Sequence, residues 1–146
     1  MTAFAVYVAA TASAEERPRV HAAIAQLKAA GFRVTCTWPD VVGQIGSANP
    51  RDASVVERRT WSAQDLIEVD AADALLFLVP PVDIPTRGPW LEAGYAYAHD
   101  KHVVFAGDTA QSIFCSLGNE TVSDAHAIFV LRELAWPGPV EFGEFR

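Results

Sequence analysis

Five carboxylates, Asp65, Asp70, Asp73, Asp83 and Glu92, crowd the stretch around one apolar run, Ala74 to Val79 (ALLFLV). Carboxylates at strand ends are suited to proton transfer and to covalent catalysis. Glu92 stands out among them, inside Thr86-Arg87-Gly88-Pro89-Trp90-Leu91-Glu92-Ala93-Gly94-Tyr95-Ala96, just after that run. Pro89 suits the first helical position, where its missing N–H costs nothing. That start puts Glu92 in the first helical turn, above the carboxyl end of a central strand, where ligands bind in open α/β sheets. The plain account of such a glutamate is helix-dipole complementation, worth roughly 0.3–1 kcal/mol. Two glycines argue for more. Gly94 inside a helix costs about 1 kcal/mol relative to alanine, which points to close approach of a ligand or another element. Gly88 supplies a loop whose backbone N–H groups can face an anion.

The elements around this stretch follow from apolar patterning. After the helix comes a second apolar run, His102 to Ala106, so strand, loop, helix and strand form a βαβ unit and require a parallel sheet. Phe4 to Ala9 (FAVYVA) reads as the first strand. Glu15-Glu16 open a helix with Val20, Ile24 and Leu27 at helical spacing, stopped by Gly31. Phe32 to Trp38 alternates and reads as the second strand, closed by Pro39-Asp40. Val41 to Ser54, rich in Gly, Ser, Asn and Pro, reads as a long loop. Val55 to Asp70 is a helix with Trp61, Leu66 and Val69 for its inner side. Thr109 to Gly118 holds a short helix, and Ala127 to Leu131 (AIFVL) is expected as a fifth strand. The tail from Trp136 reads as irregular and suited to packing against a neighbouring subunit.

Composition sets the frame for these readings. At 146 residues the chain, 1–146, is read as one domain with a real core. Its net charge of −7 argues against a nucleic-acid polymer as partner. Cys36 and Cys115 lie in apolar settings without CxxC spacing and read as reduced core residues of a cytoplasmic protein. No apolar run approaches membrane-spanning length, and Met1-Thr2-Ala3 is not the basic opening of a signal peptide. His21, His99, His102 and His126 have no paired-ligand spacing, so no metal is expected, and no cofactor either. Without GxGxxG after the first strand, GxxxxGK[ST] or GxSxG, the dinucleotide, P-loop and serine-hydrolase readings lose their support.

The order of motifs then carries a resemblance. Asp65-Leu66, Asp73-Ala74-Leu75-Leu76-Phe77, Glu92-Ala93-Gly94-Tyr95-Ala96 and Lys101-His102-Val103-Val104, with Tyr7 in the first strand, resemble the nucleoside 2-deoxyribosyltransferase superfamily from Phe4 to about Val130. The resemblance implies a flavodoxin-like three-layer α/β/α fold with a five-stranded parallel sheet in the order 2-1-3-4-5. It implies a retaining mechanism at the N-glycosidic bond of a nucleoside or nucleoside 5′-monophosphate, with Glu92 as nucleophile. Asp65 would position the reactants and assist proton transfer to the leaving base, and Tyr7 would orient the nucleophile. An ionised carboxylate stabilises an oxocarbenium-like centre and can trap it, which makes the chemistry coherent. Trp38 is a candidate stacking surface for the base, though a half-buried core tryptophan reads equally well.

Six residues before the glutamate, the nucleoside-using branch carries an aspartate and the branch that hydrolyses deoxynucleoside monophosphates resembles S-x-G-x-x-x-E. This chain has Thr86-Arg87-Gly88 before Glu92, so the resemblance leans to a 5′-phosphate bound by a hydroxyl, a loop N–H and Arg87. Pro89 and Trp90 depart from that pattern, and Asp83 is a candidate for the missing carboxylate. The resemblance also implies a homo-oligomer whose neighbour reaches into the site near Ser112 to Phe114. Ile113, Phe114 and Leu117 form an apolar ridge there. Two other readings stand beside the enzyme: a nucleotide-binding or sensing module on the same fold, and, on thinner support from Thr11 and Ser13, a flavin-binding flavodoxin.

Overall fold

The computed structural model describes residues 3–45 and 50–138. Five strands, β1 (Ala5–Ala9), β2 (Arg33–Val34), β3 (Ala74–Leu78), β4 (His102–Ala106) and β5 (Asn119–Thr121), form one parallel sheet in the order β2-β1-β3-β4-β5. Between them run α1 (Arg17–Ala29), α2 (Trp38–Ile45), α3 (Val55–Asp70) and α4 (Gly88–Ala98), with α5 (Asp124–Ala135) after β5. This is the flavodoxin-like three-layer arrangement. Strand order reverses between β1 and β3, so a crevice opens beyond their carboxyl ends.

Side-chain alternation divides the core. Val6, Val8, Leu76, Leu78, Val104 and Ala106 face Val20 and Leu27 of α1 and Ala127, Ile128 and Leu131 of α5. Tyr7, Ala9, Leu75, Phe77, Val103 and Phe105 face Val69 of α3 and Ala93 and Ala96 of α4. Both faces of the central strands are covered, which is why β1 and β3 are continuous apolar runs.

Three elements differ from the sequence reading. The fifth strand is Asn119–Thr121, and Ala127 to Leu131 belongs to α5. Ser123 caps α5 by accepting from the His126 N–H at 3.1 Å, and Ala127, Ile128 and Leu131 are buried while Phe129 is exposed, which is helical and not strand periodicity. Gly118 just before β5 is obligatory, because a Cβ there would collide with the Val103 carbonyl. The second strand is only Arg33–Val34, and Trp38, expected to end it, opens α2, which runs to Ile45 into the segment read as a loop. Residues 46–49 of that expected loop lie outside the described residues. Trp136 packs within its own chain, stacked on Phe32 with ring centroids 4.9 Å apart; 139–146 also lie outside the described residues.

Both ends of the sheet are tied by polar side chains. At the amino ends, Asp73 accepts from the Ala5 N–H at 2.8 Å. At the carboxyl ends, Arg19 donates to the carbonyls of Val79 (2.7 Å) and Ala106 (3.0 Å) and pairs with both oxygens of Asp124 (2.9 and 2.7 Å). One guanidinium thus joins α1, α5 and the ends of β3 and β4.

Candidate active site

A cavity of about 870 Å³ lies at the point where the strand order reverses. Ala10 to Ser13 after β1, Thr37 and Trp38 after β2, and Ile84 to Pro89 after β3 all line it. Asp65 of α3 and Glu92 of α4 both line it too. The five carboxylates are sorted by the direction of α3, which runs back along the sheet from carboxyl to amino ends. Asp70, at its end, accepts from the Tyr95 hydroxyl at 2.8 Å, and Asp73 binds β1. Asp83 is exposed on the loop after β3 and does not line the cavity.

Helix α4 begins at Gly88, one residue earlier than the proline implied, so Glu92 stands in its second turn. Dipole complementation falls off within the first turn, and the plain account of Glu92 weakens accordingly. Its side chain points back along the helix, as helical side chains do: a Cβ on Gly88 would meet Glu92 Oε1 at 3.8 Å. Gly94 has no such role. A Cβ there would meet nothing within 4 Å, so the close approach expected of it is not found among the described residues.

Burial dominates the electrostatics of the pair. It pushes the Glu92 carboxyl up to about 8; Tyr7 opposes this, while Asp65 and Glu68 add to it. Burial, and then Glu68, push Asp65 up to about 6. Tyr7 is wholly buried, and burial followed by the charges of Glu92 and Asp65 holds its phenol far above the usual range. The Tyr7 hydroxyl and Glu92 Oε2 are buried with no hydrogen-bond partner among the described residues. Between about 6 and 8 the two carboxyls carry one proton, held on Glu92 while Asp65 is ionised, so Glu92 must shed it before it can act as a carboxylate.

The remaining candidates fall in two places. Trp38 lines the cavity and is fixed by its Nε1–H, which donates to the Val8 carbonyl at 2.9 Å. Thr86, Arg87 and Gly88 line the same cavity from the start of α4. Ser112 and Phe114 do not. They line a second cavity of about 780 Å³, between α4 and the two 3-10 turns Thr109–Gln111 and Ile113–Leu117. Sequence reasoning missed Glu68, which is only 5% exposed and accepts from both the N–H and the hydroxyl of Thr37.

No protein-family model matches this sequence, and no curated protein matches it. A comparison of folds does find likeness. The structure of the CMP N-glycosidase BcmB of Clostridium botulinum aligns with a TM-score of 0.57 over 89% of this chain and 98% of that one, at 16% identity. At that identity the likeness is one of fold.

Proposed function

We propose that this protein belongs to the nucleoside 2-deoxyribosyltransferase superfamily and cleaves the N-glycosidic bond of a nucleoside 5′-monophosphate. The observation that carries this reading is the convergence of Glu92 and Asp65, from different helices, on one cavity that also holds Trp38, Thr86 and Arg87. The likeness to a CMP N-glycosidase supports a nucleotide over a free nucleoside.

In the proposed reaction the Glu92 carboxylate attacks C1′ while the C1′–N bond breaks, and the base leaves with a proton supplied through Asp65. Water then attacks the glycosyl ester, giving its proton to Asp65 and freeing Glu92, with net retention at C1′. The developing positive charge on the sugar favours the ionised form of Glu92 and so counters the burial that keeps it protonated. The Tyr7 hydroxyl would orient Glu92. Trp38 would stack on the base, and Thr86, Arg87 and the N–H groups at the start of α4 would take the phosphate. The exposed ridge of Ile113, Phe114 and Leu117 beside the second cavity supports a homo-oligomer, with Ser112 and Phe114 brought to a neighbour's site. Light scattering at micromolar concentration checks this: a 15.8 kDa monomer that turns over substrate refutes the shared site.

The test is release of free base from a panel of nucleosides and 5′-monophosphates, with and without a second base. Release without an acceptor identifies a hydrolase; exchange only with an acceptor identifies a transferase. Glu92→Gln should lower the rate by about 10³-fold or more on whichever substrate works. Binding of a monophosphate without turnover by the wild type would leave a nucleotide-binding module.

A further inference from the structure

We propose that Glu68 is a positioning residue for the Glu92–Asp65 pair, holding the wall of the cavity through Thr37 and placing a carboxylate charge behind both site carboxyls. Glu68 accepts from the Thr37 N–H at 3.0 and 3.1 Å and from its hydroxyl at 2.7 and 3.0 Å. Its own carbonyl accepts from the Thr35 hydroxyl at 2.9 Å. A buried carboxylate spending both oxygens on one residue is costly unless that residue must be fixed.

What it fixes is the entrance to α2. The Thr37 carbonyl accepts from the N–H groups of Asp40 (3.1 Å) and Val41 (3.3 Å), so Thr37 begins that helix. Glu68 therefore supplies from another helix what Glu57 supplies locally to Ser54 at the start of α3, a carboxylate on the cap residue's N–H. Trp38 comes next, pinned to Val8, and Thr37, Trp38, Val41 and Val42 all line the cavity.

The second half of the role is charge. Around the pair stand Tyr7 from β1 and Cys36 after β2, with Arg51, Asp52, Glu57 and Arg87 on the cavity wall. Glu68 raises both Asp65 and Glu92 while not itself lining the cavity. Its position one helical turn from Asp65 makes the two effects inseparable in the fold, but variants separate them.

The meaning of the pair rests on the N-glycosidase reading, so the test reads the carboxyls as well as turnover. Carboxyl carbon-13 resonances of Asp65 and Glu92 are followed against pH in the full chain, alongside base release from CMP. Glu68→Gln removes the charge and keeps one oxygen to accept from Thr37. Both midpoints should fall by about half a unit or more, the pH–rate curve should move with them, and KM should change by less than in Glu68→Ala. Glu68→Ala removes the clamp altogether, and KM should rise about ten-fold or more, the value of a hydrogen bond to a charged group. Adding Thr37→Val to Glu68→Ala should cost nothing further, because both act through the same contact. Should neither of those Glu68 variants fold, Glu68→Asp must keep both midpoints and raise KM. Midpoints that stay fixed in Glu68→Gln, or additive KM effects of Glu68 and Thr37, overturn the proposal. If the wild type releases base and the midpoints do not move, only the Glu68 role falls. If no nucleotide releases base, the enzymatic reading falls, and the titration still decides for Glu68.

Discussion

The Tyr7 hydroxyl and Glu92 Oε2 act on one another out of reach of solvent, Glu92 on the cavity wall and Tyr7 not lining it, yet neither meets hydrogen-bond geometry with any described residue. Orphaned buried polar atoms are rare, and two of them side by side mark a place where folding is not the only requirement. Each shifts the other's titration: Tyr7 eases the ionisation of Glu92, and Glu92 opposes that of Tyr7.

Tyr7→Phe follows directly from that relationship. The ring stays in the core and only the hydroxyl goes, so the fold should hold and the melting temperature should change little or rise. Without the hydroxyl the Glu92 midpoint should rise further, carrying the acid limb of the pH–rate curve to higher pH. Turnover at neutral pH should fall about 10- to 100-fold. A pH–rate series on both proteins checks this.

Stability should depend on pH in a direction that the same burial sets. The folded values of Glu92, about 8, and Asp65, about 6, lie above the ordinary 4.5 and 3.8. The folded state therefore binds more protons than the unfolded state in this window, and stability present at low pH is lost as pH rises through 6 and then 8. Thermal melts between pH 5 and 9 should show this decline. The slope should be shallower in Glu92→Gln, which cannot ionise.

Trp38 couples the wall of the cavity to β1. Trp38→Phe keeps an aromatic face but loses the bond to the Val8 carbonyl, a cost of about 1 kcal/mol measurable by urea unfolding. Trp38→Ala should also weaken nucleotide binding by about 5- to 100-fold, the range of a lost base–aromatic stack. Calorimetric titration with CMP on Glu92→Gln, where turnover is blocked, separates binding from catalysis.

Arg19 is a prediction about stability alone. Arg19→Met fills similar volume but leaves the carbonyls of Val79 and Ala106 without their donor and Asp124 without its partner. The expected loss is about 3–5 kcal/mol, read as a lower urea midpoint at an unchanged slope.

How far the sequence foretold this molecule depends on which signal each element carried. The βαβ unit from β3 to β4 was plain, because buried parallel strands are continuous apolar runs bounded by turn residues. The run Ala127 to Leu131 carries the same signal and is helical. The deciding cue was the Ser123 cap, while the true edge strand, Asn119-Glu120-Thr121, is too short and too polar to announce itself. Glu92 was legible from its place just after a central strand, whereas Asp65, midway along α3, was singled out only through the family resemblance. Glu68 was not legible. An acid on a charged helix reads as solvated until Thr37, from another element, is seen to engage it. The second strand was overextended because Thr35 to Trp38 alternates in sequence; the Thr35 N–H still bonds to the Val6 carbonyl of β1, but Thr37 turns to Glu68 and Trp38 begins α2.

Asp65 and Glu92 both project from helices packed on the sheet, whereas Thr86, Arg87 and Ala10 to Ser13 stand on connecting segments over the same cavity. On the proposed reading, the reacting groups stand on helices and most of the groups that select a substrate, Trp38 of α2 apart, stand on connections. Helices set positions rigidly, and connections tolerate replacement and insertion. Selectivity in this scaffold is therefore a separable module: the rim can be exchanged or lengthened to admit another base or sugar while the carboxyl pair keeps its spacing. A library confined to the connections, with both helices untouched, is the natural route to altered specificity.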